Sequence, residues 1–267
     1  MSLKKFIYFF IPVLFFVLTS PLTSIANIVI LNGLTHENTA EAGENYREGI
    51  QVQNAGTEPR SVKVYQRDYW YSFTGENRHD EAGTLPRSNA AWINYSPTLV
   101  TLQPDETVVI DFEVTVPQID SLKGTYWSVI MVEGIQPQDT SASNGVKIHT
   151  AIRYAVQIIT NIGNTGKRDL QFLGLELEAD ENNNQILNVA LENTGERILK
   201  PELNIELFNG EGESIGVFKA ERRKTYPTTS ILLKLPLEGV KPGEYAAVLI
   251  ADCDEDNIFG TNLTLEL

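Results

Sequence analysis

A stretch of alternating side chains near the middle of the chain constrains its fold more than any other feature. From position 146 to 158, apolar residues stand at nearly every second position, and Thr150 is the one break in the series. A period of two is the mark of a β-strand with one apolar face. The pattern predicts a long strand over Val146–Ile159. Such a strand either closes an antiparallel sandwich or, in a few families, is lent to another protein.

The beginning of the chain has the three parts of a secretory signal peptide. Lys4 and Lys5 precede an apolar run, 6–18, which is followed by small and polar residues up to Ala26. The run has 13 residues, fewer than the roughly 20 that a membrane-spanning helix requires. We therefore expect cleavage after Ala26 and export of the mature chain, to the periplasm or the cell surface, without insertion into a membrane.

Charge and cysteine content exclude several classes of function. The formal net charge is −14 at pH 7, and it becomes two units more negative once Lys4 and Lys5 are removed. A field of this sign repels nucleic acid and anionic lipid, so neither is an expected partner. The basic run Arg222-Arg223-Lys224 is interpreted as a solvated hairpin face. Cys253 is the single cysteine, which leaves no intramolecular disulfide and makes core packing the source of stability.

The remaining periodic segments predict an all-β chain of two tandem immunoglobulin-like β-sandwich domains. Short period-two segments recur about every ten residues, and a polar, Gly-rich linker over 161–166 separates two sets of them. The expected division is a signal peptide over 1–26, a first domain over 27–162 and a second over 163–267. The turn 52–56 (Val-Gln-Asn-Ala-Gly) returns as 191–195 (Leu-Glu-Asn-Thr-Gly), which favours two similar sandwiches.

Residues that could support catalysis or bind a metal are scattered. The three histidines, His36, His79 and His149, fall in different segments, and none has the spacing of a zinc or copper site. No Gly-rich phosphate loop and no nucleophile elbow is present in the sequence. We therefore predict a non-enzymatic protein that has no cofactor and no metal site.

Aromatic residues crowd the first half of the chain and leave a second function open. Trp70 and Tyr71 are adjacent, so on a strand they would point to opposite faces, and one of them would be exposed. Exposed aromatic rings can stack on sugars. The alternative function is therefore a cell-surface or cell-wall adhesion module that recognises a glycan or wall polymer through rings such as Trp70 or Trp127.

Two segments of the first half resemble the periplasmic pilus and fimbrial assembly chaperones, the PapD-like family. Residues 150–156, Thr-Ala-Ile-Arg-Tyr-Ala-Val, are similar to that family's last strand of domain 1, with a basic residue among alternating apolar ones. Residues 104–117 are similar to the family's proline-led strand that precedes a Gly-Thr-Tyr strand, here beginning at Gly124. The resemblance implies a chaperone that binds pilus or other exported subunits by β-strand complementation.

The resemblance also implies roles for particular residues. Val146, Ile148 and Ile152 would be the donor-strand apolar contacts with the client, and Arg153, of opposite parity, would anchor the client's terminal carboxylate. The partners would be a pilin-like or other exported β subunit and an outer-membrane assembly platform. The family pairs its basic anchor with an arginine on the first strand, whereas residues 27–34 of this chain contain no basic residue.

Overall fold

The computed structural model describes residues 28–135, 152–181, 184–253 and 256–267. These residues form eighteen β-strands and one short 3-10 helix, Ala90–Trp92. The strands make two sandwiches that follow one another along the chain, so the predicted fold class is confirmed. The predicted signal peptide lies outside the described residues.

The first sandwich contains eleven strands. They are β1 (Ile28–Ile30), β2 (Thr35–Ala40), β3 (Asn45–Asn54), β4 (Arg60–Arg67), β5 (Trp70–Tyr71), β6 (Asn77–Arg78), β7 (Ile93–Ser96), β8 (Leu99–Leu102), β9 (Thr107–Thr115), β10 (Gly124–Ile135) and β11 (Arg153–Ile162). One sheet has the order β1-β3-β9-β7 and the other the order β2-β11-β10-β4-β8, while β5 and β6 form a separate hairpin.

The second sandwich contains seven strands. They are β12 (Leu170–Ala179), β13 (Gln185–Asn193), β14 (Glu202–Phe208), β15 (Ser214–Lys219), β16 (Ser230–Pro236), β17 (Glu244–Asp252) and β18 (Ile258–Glu266). Its sheets have the orders β12-β13-β16 and β15-β14-β17-β18. The basic run 222–224 is not a hairpin face, because it lies in the irregular segment between β15 and β16.

Each sandwich is held together by its own apolar core. Ile110 and Phe112 of β9 are buried in the first core, and Leu203 and Ile205 of β14 are buried in the second. In both strands the buried side chains are two residues apart, as a pleated strand requires. The burial of alternate side chains therefore explains why period-two segments of this sequence form strands.

The same turn closes the third strand of one sandwich and the second strand of the other. The side-chain oxygen of Asn54 accepts a bond from Gly56 N at 3.0 Å, and that of Asn193 accepts one from Gly195 N at 2.9 Å. Both asparagines are fully buried, and each side-chain amide donates to two backbone carbonyls. The recurring sequence therefore has one structural meaning, a buried Asx turn that ties a strand end to a neighbouring loop.

Strands β1 and β2 divide the start of the chain between the two sheets of the first sandwich. Strand β1 pairs antiparallel with β3, and β2 runs parallel to β11 with Thr35 opposite Gln157. Gly33, with φ of 89°, lies in the connection through which the chain crosses from one sheet to the other. Strand β2 is not predictable from the sequence, because its residues, Thr-His-Glu-Asn-Thr-Ala, do not alternate between apolar and polar. Its pairing with β11 is a tertiary contact that local sequence does not encode.

Candidate strand-donation site

Strand β11 has an edge that β2 covers only in part. Antiparallel β10 lies along one side of β11, from Arg153 to Ile162. On the other side, parallel β2 begins opposite Gln157. Between Arg153 and Val156, no strand of the described part of the chain pairs with that side. We define this stretch as the open edge of β11.

Backbone hydrogen-bonding groups on this open edge point outward. Gln157 N donates to Leu34 O at 2.9 Å, which fixes the direction of the Gln157 amide away from β10. The pairing of β10 with β11 runs without a register shift, so backbone direction alternates strictly along β11. The N–H and C=O groups of Arg153 and Ala155 therefore point the same way as those of Gln157. They form a short template for an added strand.

Exposed apolar residues lie at the two ends of the open edge, with Ile152 directly before it and Leu34 bonded to Gln157 after it. Ile152 is 43% exposed, and Leu31 and Leu34, in the connection between β1 and β2, are 50% and 45% exposed. Tyr154, on the face that points into the sandwich, donates its hydroxyl to Ile28 O at 2.8 Å and so bridges the two sheets. An unpaired backbone edge flanked by exposed apolar residues is a surface on which another β-strand can pack.

The predicted site residues fall in different places. Val146 and Ile148 lie outside the described residues. Ile152 immediately precedes β11 and, by parity, shares a face with the buried Val156. Arg153 Nε lies 3.0 Å from Glu133 Oε1 of β10. The predicted donor contact Ile152 is thus exposed beside the open edge, whereas Arg153 already has a carboxylate partner.

The ion pair at the start of β11 is part of a small polar group. Tyr65 of β4 donates its hydroxyl to Glu133 Oε2 at 2.8 Å. Burial opposes ionisation of Glu133, but Tyr65 and Arg153 stabilise the carboxylate, so its pKa lies below the ordinary glutamate value. Glu133 is therefore charged at neutral pH and competes with any other carboxylate for Arg153.

Beside the other end of β11, aromatic residues of the two sandwiches are in contact. Trp127 of β10 stacks on Tyr226 of the second sandwich, with ring centroids 4.8 Å apart and planes at 16°. The indole N–H of Trp127 donates to Tyr69 O at 2.8 Å. Tyr71 donates its hydroxyl to Lys224 O at 2.8 Å, and burial raises the pKa of Tyr71 to about 12. This aromatic contact joins the two cores.

Two lysines of the second sandwich surround an acid of the first. Lys200 Nζ and Lys224 Nζ each lie 3.1 Å from Glu37 Oε2 of β2. Burial raises the pKa of Glu37, but the two lysines lower it by more, and the net shift is downward. Because β2 is paired to β11, these ion pairs link the second sandwich to the strand that carries the open edge.

A tight backbone contact completes the connection between the sandwiches. Thr125 N donates to Glu196 O at 2.8 Å, and Thr125 Oγ1 accepts from Ile198 N at 2.9 Å. Gly124 has φ of 75°, and a Cβ added there would lie 2.0 Å from Glu196 O. Glycine is therefore required at the start of β10. The Gly-Thr-Tyr segment is readable from the sequence as the start of a strand, whereas nothing in the sequence indicates its contact with residues 196–198.

The rings proposed for glycan binding are used within the molecule. Trp127 is 3% exposed, so its prediction as an exposed ring is wrong. Trp70 is half-buried, its indole N–H donates to Thr228 O at 2.9 Å, and Arg78 lies over its ring at 4.3 Å. Large aromatic rings are buried for packing energy more often than they are left for ligands, and these two rings pack at the contact between the sandwiches.

The histidines and acids do not assemble into a metal site in the part of the chain that the structure describes. No group of three or more metal-ligating side chains occurs there. His36 Nδ1 contacts Glu48, and His79 stacks on Tyr69 with centroids 5.3 Å apart. Among the same residues, no helix has both the length and the apolar character needed to span a bilayer.

Comparisons with known proteins give structural likenesses without sequence matches. No family model and no curated protein matches the sequence. A class 5 fimbriae chaperone, CfaA, is 14% identical with a TM-score of 0.46, covering 89% of this chain and 98% of that chain. The E. coli chaperone DraB is 14% identical with a TM-score of 0.40, covering 90% and 98%.

A third similar structure contains the Salmonella enterica SafA pilin in complex with the SafB chaperone. It is 12% identical with a TM-score of 0.42, and the match covers 88% of this chain and 96% of that one. The chain is thus similar to solved structures of fimbrial chaperones. The two-sandwich assignment itself follows from the strand order and register of this chain.

Proposed function

We propose that this protein is an exported, non-catalytic chaperone that binds a pilin-like or other β-rich subunit by strand complementation. Its client would lack a strand and so expose backbone groups and an apolar groove. Strand β11, together with residues 146–151 before it, would fill that groove. The periplasm is the compartment that the predicted signal peptide favours, and an assembly platform in the outer membrane would receive the client.

The open edge of β11 is the observation that carries this proposal. Arg153 and Ala155 offer two donors and two acceptors to a client strand, and each bond formed in the complex is worth about 1 kcal/mol. Apolar contacts of Ile152 and the predicted contacts of Val146 and Ile148 would add about 25 cal/mol for each Å² buried. Backbone bonding supplies sequence-independent affinity, and the alternate apolar side chains supply selectivity.

Arg153 keeps its predicted role as the client's carboxylate anchor in this proposal, with a condition set by Glu133. A client carboxylate would have to share or displace the Glu133 partner, which lies 3.0 Å away. The guanidinium can bond two carboxylates through different N–H groups. Because the Arg153 side chain is 58% exposed, its contribution to affinity is expected to be about 1 kcal/mol or less.

A capture experiment with matched variants tests the proposal. Tagged mature protein is isolated from its native envelope fraction, and co-purifying proteins are identified by mass spectrometry. Ile152→Asp places a charge beside the open edge, and Ala155→Pro removes an outward N–H without removing a bond to β10. Leu99→Asp is the control, since Leu99 is 62% exposed on β8, at the opposite edge of the same sheet.

We expect a stoichiometric β-rich exported partner with the wild type and with Leu99→Asp, and its loss with Ile152→Asp and Ala155→Pro. Arg153→Ala should weaken the capture without abolishing it. Circular dichroism of each variant establishes that the sandwiches remain folded. Recovery of the wild type alone, or of a partner indifferent to both edge variants, would contradict strand donation from β11.

A further inference from the structure

A groove lies between the edges of the two sheets of the second sandwich. It is bounded by β15, the edge of one sheet, by β16, the edge of the other, and by the irregular segment 220–224 between them. Its volume is about 460 Å³. The apolar part of its lining comes from Ala220, Leu232, Leu233 and Pro236. We call this the basic groove, for the four cations described next.

Four cations line the basic groove of a strongly acidic chain. They are Lys219, Arg222, Arg223 and Lys234, and Glu221 is the one acid in the lining. The whole chain carries a formal charge of −14, so the groove is a positively charged site on a negatively charged protein. Positive potential concentrated in a concave site attracts an anionic partner over a distance of about a Debye length, roughly 8 Å at physiological salt.

The neighbouring acids neutralise these cations incompletely. Arg222 is ion-paired, with a guanidinium nitrogen 3.3 Å from Glu202 Oε2, and is not counted toward the free charge, whereas Lys219 Nζ lies 3.9 Å from Glu202 Oε1. Lys234 lies 3.5 Å from Glu178, and both side chains are more than half exposed. Arg223 makes no ion pair with any residue that the structure describes. The groove therefore retains positive charge for an outside partner.

The edge of β15 adds a backbone template to the charge. Within the described residues, β15 pairs with β14 alone. Ala220 N donates to Leu203 O of β14 at 2.9 Å, and alternation along the strand then turns the backbone groups of Lys219 and Val217 outward. Ile215 and Val217, on the outer face, are 40% and 54% exposed. Along β15 from its start, an added strand would lie beside the apolar side chains of Ile215 and Val217 and then beside the cations that begin at Lys219.

We propose that the basic groove binds an extended polypeptide segment in which acidic residues are followed by alternating apolar ones. Antiparallel addition to β15 places the acidic end beside Lys219 and Arg223 and the apolar end beside Val217 and Ile215. A short acidic segment suits the groove better than a lipid surface or nucleic acid. Larger anionic surfaces would also face the acidic remainder of the chain and be repelled.

This inference does not depend on strand donation by β11. The basic groove belongs to the second sandwich and the open edge to the first, so a protein could use either surface without the other. If both proposals hold, the molecule holds a client on the first sandwich and leaves the second free for another protein. The groove would then be the contact with a partner that receives or directs the chaperone.

The test is fluorescence anisotropy with a labelled synthetic peptide that has four glutamates followed by alternating valine and threonine. The full mature chain is titrated against it at low and physiological salt. We expect saturable binding that weakens with salt, and about a fivefold loss of affinity in Arg223→Glu. Val217→Pro, which removes an outward N–H from β15, is expected to cause a similar loss. The peptide with glutamine in place of glutamate should bind at least about fivefold more weakly.

Lys241→Glu is the matched control because Lys241 is exposed and lies outside the groove lining. It makes the same change in net charge as Arg223→Glu and should leave peptide affinity unchanged. Equal losses in both charge variants would overturn the groove assignment, as would an absence of saturable binding to the wild type. Anionic phospholipid vesicles are titrated in parallel, and binding to vesicles without binding to the peptide would overturn the polypeptide proposal.

Discussion

Replacing Trp127 by alanine should separate the two sandwiches. Trp127 is 3% exposed, stacks on Tyr226 at 4.8 Å and donates to Tyr69 O at 2.8 Å. Truncation of a buried tryptophan typically costs about 3 to 5 kcal/mol, a range that already contains the stacking and the hydrogen bond. Because the ring touches both sandwiches, most of that loss falls on the contact between them.

The assay is guanidinium unfolding of the mature protein followed by far-UV circular dichroism. We expect the wild type to unfold in one transition, because its sandwiches are strongly coupled. Trp127→Ala should show two separate transitions, because the stacked ring is lost and the remaining polar contacts couple the sandwiches more weakly. Trp92→Ala is the control. Trp92 packs on Tyr126 inside the first sandwich at 4.7 Å, so its loss should destabilise that sandwich while leaving the connection intact.

Two outcomes would refute the reasoning on Trp127. One is a single transition for Trp127→Ala with a loss of stability below about 1 kcal/mol, far less than the roughly 3 to 5 kcal/mol expected for truncating a buried tryptophan. The other is separation of the transitions by Trp92→Ala as well. The second outcome would place the coupling in the interior of the first sandwich and away from the aromatic contact.

Three further predictions concern the connection between the sandwiches and its turns. Gly124→Ala should lower the unfolding free energy by at least about 2 kcal/mol, because φ is positive and the new Cβ would clash with Glu196 O. Gly239→Ala is the control: its φ is 77°, nothing lies within 4 Å of an added Cβ, and the loss should be about 1 kcal/mol. Thermal unfolding measures both variants. Burial raises the pKa of Glu37, but two lysines lower it by more, so the folded pKa lies below 4.5. The ionised Glu37 therefore stabilises the folded protein above about pH 4.5, and this stabilisation is lost as the pH falls through the folded pKa. Glu37→Gln should therefore flatten the pH dependence of stability below about pH 4.5 in urea titrations, and an unchanged acid limb would contradict this. Asn193→Ala removes the side-chain bonds to Arg197 O, Thr225 O and Gly195 N of a buried turn, although Thr225 O keeps its bond from Leu199 N. The urea unfolding free energy should fall by about 2 to 4 kcal/mol, and a loss under about 0.5 kcal/mol would argue against the turn's role.

Strands such as β9 and β14 were predictable because their buried side chains alternate with more exposed ones. Val156 and Ile158 belong to the period-two series of the predicted strand, and the structure buries both of them. The repeated Asn-x-Gly was equally readable, since an Asx turn needs a short amide side chain and a small residue two positions later. Local physics therefore specifies most of the two-sandwich architecture.

The missed features depend on residues that are distant in sequence. Strand β2 has polar side chains and exists because it pairs with β11, more than a hundred residues later. Trp127 gives no local sign that its partner is Tyr226. The run 222–224 is part of the connection between the sandwiches because Lys224 reaches Glu37. Such contacts follow from topology, which residue periodicity does not contain.

Hydrogen–deuterium exchange on the client complex tests the central claim most directly. The free chain should exchange the amides of Arg153 and Ala155 rapidly, because both face outward at the open edge, while Gln157, bonded to Leu34 O, exchanges slowly. In the complex captured from the envelope, strand complementation predicts strong protection of Arg153 and Ala155. A complex in which these two amides exchange as in the free chain would contradict strand donation by β11.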